Sequence, residues 1–146
     1  YSRSPYLMLG YFKNPQATAA CTTEDGFLTC GDLVRVDEEG YLHIVGRNSD
    51  MIITGGINVY PREIEDVLLQ HPAVQDVAVV GRPSEEWGEA VTAFVVLAPG
   101  AAFDADELER HCRQTLAGFK IPRSWRVIPE LPRNAAGKVV KRDLPD

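Results

Sequence analysis

Two stretches of this chain, VQDVAVVG (74–81) and AVTAFVVL (90–97), are near-continuous apolar runs rich in β-branched valine. Such runs predict strands covered on both faces, and together they predict the core of a small sheet, with the polar, turn-rich RPSEEWGE between them. MIIT (51–54) is a shorter run that reads as a buried strand, and Gly55 and Gly56 after it read as a turn. Pro61 stands where a first-turn proline belongs, ahead of REIEDVLLQH. There Ile64, Val67 and Leu68 recur at helical spacing, and Pro72 ends the helix. Asp104 with Glu107 opens a second helix over DADELERHCRQTLA, which carries Leu108, Cys112 and Leu116 on one face. GFKIP breaks that helix, SWRVIPEL supplies a last strand, and the PRNAAGK loop follows.

From Asp50 onward the order is therefore β, α, β, β, α, β, loop, which predicts an α/β (α+β) domain: a central three-stranded sheet packed by helices. The first forty or so residues have another rhythm. Turn signals (SP, KNP, EDG, EEG) separate the short apolar segments YLML, GFLTC and YLHIVG, a pattern of short antiparallel strands and hairpins. That β-rich part holds too little apolar material to stand alone.

With 146 residues and 45% hydrophobic content the chain can bury a core, enough for one domain or one domain plus a fragment of another. It opens YSRSPYLMLGYF without an initiator Met, and Met8 already lies in patterned sequence, so a piece of a longer protein is expected. A net charge of -6 without long charge blocks argues against general nucleic-acid binding. Lys120, Arg123, Arg126, Arg133, Lys138, Lys141 and Arg142 nevertheless concentrate late in the chain, a local positive potential suited to one anionic ligand. Cys21, Cys30 and Cys112 form no CxxC and no metal-ligand spacing with His43, His71 or His111. No signal peptide or membrane span is visible, so a cytoplasmic setting is expected.

The glycine and lysine of AAGK match a Walker loop only in part. That motif needs Gly and Ser/Thr where this chain has Pro132 and Val139. No glycines are spaced as GxG, which removes the dinucleotide fingerprint. Nor is there a GxSxG, and His71 and His111 have no paired nucleophile, so both read as structural or surface histidines. Glu38/Glu39 and Glu85/Glu86 read as solvated turns.

What remains is a constellation: GDL at Gly31 to Leu33, GRNSDMIITGGINVYPREIE from Gly46, EEWGE around Trp87, and LAGFKIPRSW leading to LPRNAAGKVVKRDL. In this order and spacing it resembles the C-terminal portion of the acyl-CoA synthetases, AMP-forming acid:CoA ligases of the adenylate-forming superfamily. Firefly luciferase and the peptide-synthetase adenylation domains belong to the same superfamily, and the resemblance runs along essentially the whole chain.

The resemblance implies that residues 1–47 are the β-rich end of a large N-terminal adenylation domain, 48–50 a hinge, and 51–146 a mobile C-terminal domain. It implies ATP/AMP contacts at Asp32 and Arg47, near the ribose; Cys30 departs from the family's usual Thr two residues before that Asp. The hinge position is Ser49, where most relatives carry Asp or Lys. CoA contacts are implied at Gly55, Gly56, Trp87, Phe119 and Arg123, although a hairpin turn and core packing are equally ordinary uses for such Gly and Trp residues. Lys138 matches the catalytic lysine of the family's C-terminal loop, whose ammonium meets the substrate carboxylate and the α-phosphate. The cofactors implied are ATP and CoA, with Mg2+ expected alongside ATP but no ligand for it in this part of the sequence. The partners implied are the chain's own N-terminal domain and a small carboxylic acid. Two alternatives stay open: an adenylation domain loading a carrier protein, and a non-catalytic interaction module. The Lys138 loop is expected to be exposed and mobile, and the isolated piece inactive.

Overall fold

The computed structural model describes residues 1–146, and the chain divides into two compact units, Tyr1–Ser49 and Asp50–Asp146. No helix is long and apolar enough to cross a membrane.

In the second unit the two valine-rich runs become β5 (Val74–Ser84) and β6 (Gly88–Leu97), paired antiparallel from Val74↔Leu97 to Ser84↔Gly88. Period-two alternation sends Val77, Val79, Val91, Ala93 and Val95 to one face. Ala78, Phe94 and Val96 go to the other. The first face lies under α2 (Pro61–Leu68) and α3 (Ala105–Arg113), through Ile64, Leu68, Leu108 and Cys112. The second is covered by Leu131 and Leu144, with Val139 packed alongside. Both faces are dry, which is why these strands read as unbroken apolar runs.

β7 (Ser124–Val127) runs parallel to β6, so β5, β6 and β7 are the three-stranded centre that the pattern predicts. A hairpin of β3 (Ile52–Thr54) and β4 (Ile57–Val59) extends the sheet to five strands, joining β6 through the single pair Thr54↔Gly88. Glu89 reinforces this thin junction: its Oε2 accepts from the Ile53 N–H at 2.6 Å. Three residues are too few to show a period, so β4 is not legible before its pairing across Gly55 and Gly56 is seen.

The helix starts follow their signals. Pro61 occupies the first turn of α2, and Asp104 Oδ1 accepts from the Glu107 N–H at 3.0 Å. α3 stops at Arg113, yet Leu116 stays buried in the following turn. His71 and His111 are structural. His71 Nδ1 accepts from the Ala73 N–H at 3.2 Å, which leaves Nε2 as the protonated nitrogen, 3.4 Å from Glu107 Oε1. His111 packs edge-on against it and donates from Nε2 to the Val67 carbonyl at 2.9 Å, tying α3 to α2.

The first unit departs further from the strand-and-hairpin expectation. KNP starts a helix, α1 (Pro15–Cys21), because Asn14 Oδ1 caps the Ala17 N–H at 3.0 Å and Pro15 is preset for a first turn. YLML forms no strand, and GFLTC contributes only isolated bridges at Leu28, to Ser2 and Thr22. The hairpin that does form pairs β1 (Asp32–Val36) with β2 (Leu42–Arg47). Its turn is closed by Asp37, whose carboxyl lies below its ordinary value because His43 hydrogen-bonds it, with a further bond from the Tyr41 N–H. None of residues 1–49 is buried, and Tyr6, Leu9 and Phe12 are almost fully exposed.

Cys112 is completely enclosed, and burial, aided by the Glu109 charge, pushes its thiol up to about 11. The unfolded thiol ionises near 9, so stability present below that pH is lost as pH rises toward 11. At pH 8, mass spectrometry after alkylation should find exposed Cys30 modified and Cys112 untouched until denaturant is added. Between about pH 9 and 11 the urea midpoint should fall, and Cys112→Ala should make that fall shallower.

Candidate functional site

Lys138 sits on a closed hairpin. Arg133 and Val139 pair as an isolated antiparallel bridge, and the Asn134 N–H donates to the Lys138 carbonyl at 2.9 Å. Asn134 Oδ1 accepts from the N–H groups of Ala136 and Lys138, each at 3.0 Å. Gly137 takes a φ of +76°, the left-handed position that closes such a loop and that other residues adopt only with strain. Residues 133–138 are all exposed, as expected. They are not slack, however: the loop carries its own hydrogen bonds, so motion of this segment is motion of a formed hairpin.

Side chains from the sheet and α2 surround the hairpin base. Arg133 donates from Nη1 to the Gly137 carbonyl at 2.6 Å and from Nη2 to the Asp76 carboxylate on β5. Lys141 donates from Nζ to the Val79 carbonyl at 2.9 Å and meets Glu65 Oε1 at 2.7 Å, while the same Glu65 oxygen accepts from the Val79 N–H at 2.9 Å. A cleft of about 330 Å³ lies here, lined by Arg62, Glu65, Asp76, Arg133, Lys138 and Lys141 among others. Arg62 pairs with Asp66, Arg133 with Asp76 and Lys141 with Glu65, which leaves Lys138 as the one cation of the cleft without a carboxylate. An unpaired ammonium on a preformed turn is suited to an incoming anion. Nothing in the spacing of Asp76, Arg133, Glu65 and Lys141 marks them as one site, because spacing does not show that β5, α2 and the C-terminal segment meet.

A second grouping forms at the β3–β4 turn. Gly55 and Gly56 have φ of +56° and +78°, and the Gly55 N–H donates to the Trp87 carbonyl at 2.8 Å. Half-buried Trp87 packs so tightly that a Cβ on Gly55 would lie 3.2 Å from the indole; around Gly56 the space is open. The Arg123 guanidinium stacks 3.7 Å from the Trp87 ring centroid. Gly55, Gly56, Trp87 and Arg123 thus share one exposed corner that joins an aromatic face, a cation and a backbone free of side chains. Phe119 instead packs against the core on the helical face of the sheet, beside Lys120, which pairs with Glu63 at 2.6 Å.

In the first unit Asp32 and Arg47 are cross-strand partners on β1 and β2, with Arg47 Nε 3.2 Å from Asp32 Oδ1. Ser49 lies in the short helical turn Asn48–Asp50, next to the division between the units. Nowhere do three or more His, Cys, Asp or Glu side chains converge as a metal would require, so these residues do not fit a resident metal.

A small sheet with helices on one face and a lysine-tipped C-terminal hairpin on the other, following a β-rich segment, defines a C-terminal domain of the adenylate-forming type. Residues 63–138 match the model of the AMP-binding enzyme C-terminal domain, and the chain belongs to that family. It is 44% identical to a long-chain-fatty-acid–CoA ligase of Bacillus subtilis over 142 residues, covering 97% of this chain and 25% of the relative. It is 48% identical to a Mycobacterium tuberculosis 3-[(3aS,4S,7aS)-7a-methyl-1,5-dioxo-octahydro-1H-inden-4-yl]propanoyl:CoA ligase, covering 97% and 28%. Among solved structures it superposes on the o-succinylbenzoate CoA synthetase of Bacillus subtilis in complex with its acyl-adenylate intermediate. That match has a TM-score of 0.90 and 41% identity, over 99% of this chain and 29% of the other. The chain therefore spans about a quarter of the length of these relatives.

Of the two glycines in the β3–β4 turn, Gly55 is the one where shape decides more. Gly55→Ala should lower stability by about 1–3 kcal/mol, from left-handed strain plus the Trp87 contact, and by more than Gly56→Ala, which meets open space. Denaturant midpoints of the two variants check the order.

Proposed function

We propose that this chain is the C-terminal quarter of an ATP-dependent, AMP-forming acid:CoA ligase. The acid's carboxylate attacks the α-phosphorus of ATP, giving acyl-AMP and pyrophosphate; the CoA thiol then attacks the acyl carbonyl and releases AMP. The observation that carries this reading is the unpaired Lys138 ammonium on a preformed, exposed hairpin, in a chain of the AMP-binding C-terminal family.

Two anionic groups must approach each other in the first half-reaction, and negative charge grows on the α-phosphoryl oxygens. A cation placed between them offsets both, and Lys138 has no carboxylate of its own to leave behind. Magnesium accompanies ATP, and no step is assigned to it in this chain. Asp32 accepts from ribose hydroxyls while Arg47 orients it, a role supported by their pairing across β1 and β2. Residues 1–47 end the adenylation domain, 51–146 form the mobile domain, and 48–50 are the hinge, with Ser49 absorbing dihedral change. The division of the chain beside Ser49 supports that assignment.

In the second half-reaction the pantetheine arm passes the bare backbone at Gly55 and Gly56, and the CoA nucleotide lies against Trp87 and Arg123. The stacked Trp87–Arg123 pair supports this, as it offers one aromatic face and one phosphate partner. Phe119, half-buried and packed against the core, is the further CoA contact of this reading. The remaining polypeptide, with its acyl pocket and phosphate loop, is the chain's functional partner, and a cytoplasmic setting, where ATP and CoA are both available, is part of this reading. The relatives' names cover a long-chain fatty acid, a bicyclic propanoate and an aromatic acid, so the acid is set outside this region.

In the complete enzyme Lys138→Ala should lower acid-dependent pyrophosphate exchange by about a hundredfold or more, while thioester formation from supplied acyl-adenylate persists; undiminished exchange would remove the catalytic role. Gly56→Leu should do the reverse, slowing the CoA step and sparing exchange. CoA-dependent turnover equal to the parent's would exclude a pantetheine path there.

A further inference from the structure

We infer that Arg133, anchored by Asp76, is a positioning residue for Lys138, acting in acyl-adenylate formation and not in thioester formation. The inference rests on the ligase reading of Lys138 and goes beyond it to the residues that aim the lysine. The peptide unit joining Gly137 to Lys138 is clamped on both sides. Its carbonyl accepts from Arg133 Nη1 at 2.6 Å, and its N–H donates to Asn134 Oδ1 at 3.0 Å. Gly137, at φ +76°, is the residue of the loop with the most backbone freedom, so this peptide plane is where the direction of Lys138 would otherwise drift.

The other half of the Arg133 fork ends on a fixed point. Asp76 Oδ2 takes Nη2, and Asp76 Oδ1 accepts from the Val77 N–H at 3.0 Å, locking the carboxylate to β5. β5 is itself irregular between Val74 and Asp76, next to this anchor. The chain of contacts runs from the sheet through Asp76 and Arg133 to the peptide plane that carries Lys138. The Asp76–Arg133 pairing also occupies a guanidinium and a carboxylate of the same cleft, so Asp76 is not free to neutralise the lysine. Lysine cannot replace Arg133, because the two contacts point in different directions and need two fixed donors.

The test uses the complete enzyme and measures the half-reactions separately. Arg133→Ala and Arg133→Lys should each lower kcat for pyrophosphate exchange by about ten- to hundredfold, with KM for ATP and acid within about twofold of the parent. Asp76→Asn, which keeps an acceptor for Arg133, should lose less. Thioester formation from supplied acyl-adenylate should be unchanged in all three. Exchange by Arg133→Ala within about twofold of the parent, beside a Lys138→Ala control that has lost it, would overturn the inference and leave the ligase reading intact. A parallel fall of both half-reactions would also overturn it, since that marks general damage to the domain. If Lys138→Ala itself retains exchange, the reading of Lys138 fails and the positioning role fails with it.

Discussion

The free edge of β5 is the constraint on which the placement of the C-terminal hairpin depends. β5 pairs only with β6, so the outward N–H and C=O groups of its far side need partners. At Val79 both are met by an ion pair rather than by another strand: Glu65 takes the N–H and Lys141 the carbonyl. At Asp76 the side chain receives Arg133, and at Arg82 the guanidinium donates to the carbonyls of Leu144 and Pro145 at 3.1 and 2.6 Å. One strand thus holds residues 133–145 at three points, while Leu131, Val139 and Leu144 cover the sheet face beside it. Polar attachment along the edge fixes register, and apolar cover on the face supplies most of the binding free energy.

That arrangement suits an exposed loop to the role proposed for Lys138. Catalytic electrostatics require a charge in a defined place before the substrate arrives. A solvent-exposed lysine on a slack loop would not meet that requirement. Here the tip is closed by Asn134 and Gly137, braced by Arg133 and rooted in a core strand, while the lysine side chain alone is left unpaired. The same economy governs the β3–β4 turn, where two left-handed glycines close the turn and Gly55 leaves room for the indole on which Arg123 stacks. The first unit shows the opposite balance: its secondary structure is capped and hydrogen-bonded, yet none of its residues is fully buried.

Much of the second unit is legible from the sequence because its signals are local. Valine-rich runs covered on both faces, a proline at the first turn of α2 and an aspartate cap on α3 each act within a few residues. β4 is not, since Ile57–Val59 is a strand only by pairing with Ile52–Thr54. Nor is α1, where Asn14 and Pro15 resemble a turn until the cap bond to Ala17 is seen.

By itself the sequence determined the order of the domain's elements apart from β4, the runs that form its core and the absence of a Walker or dinucleotide loop, because each rests on residue type and short spacing; the family it determined through motifs spread along the whole chain. It also singled out Lys138, Gly55, Gly56, Trp87 and Arg123, through a resemblance that runs the length of the chain. Only the tertiary structure decided that Arg133 reaches Asp76 across 57 residues of sequence, that Lys141 seals the β5 edge, and that Phe119 packs half-buried against the core. Those contacts join segments far apart in the chain, and their free energy exists only once the sheet has brought the segments together.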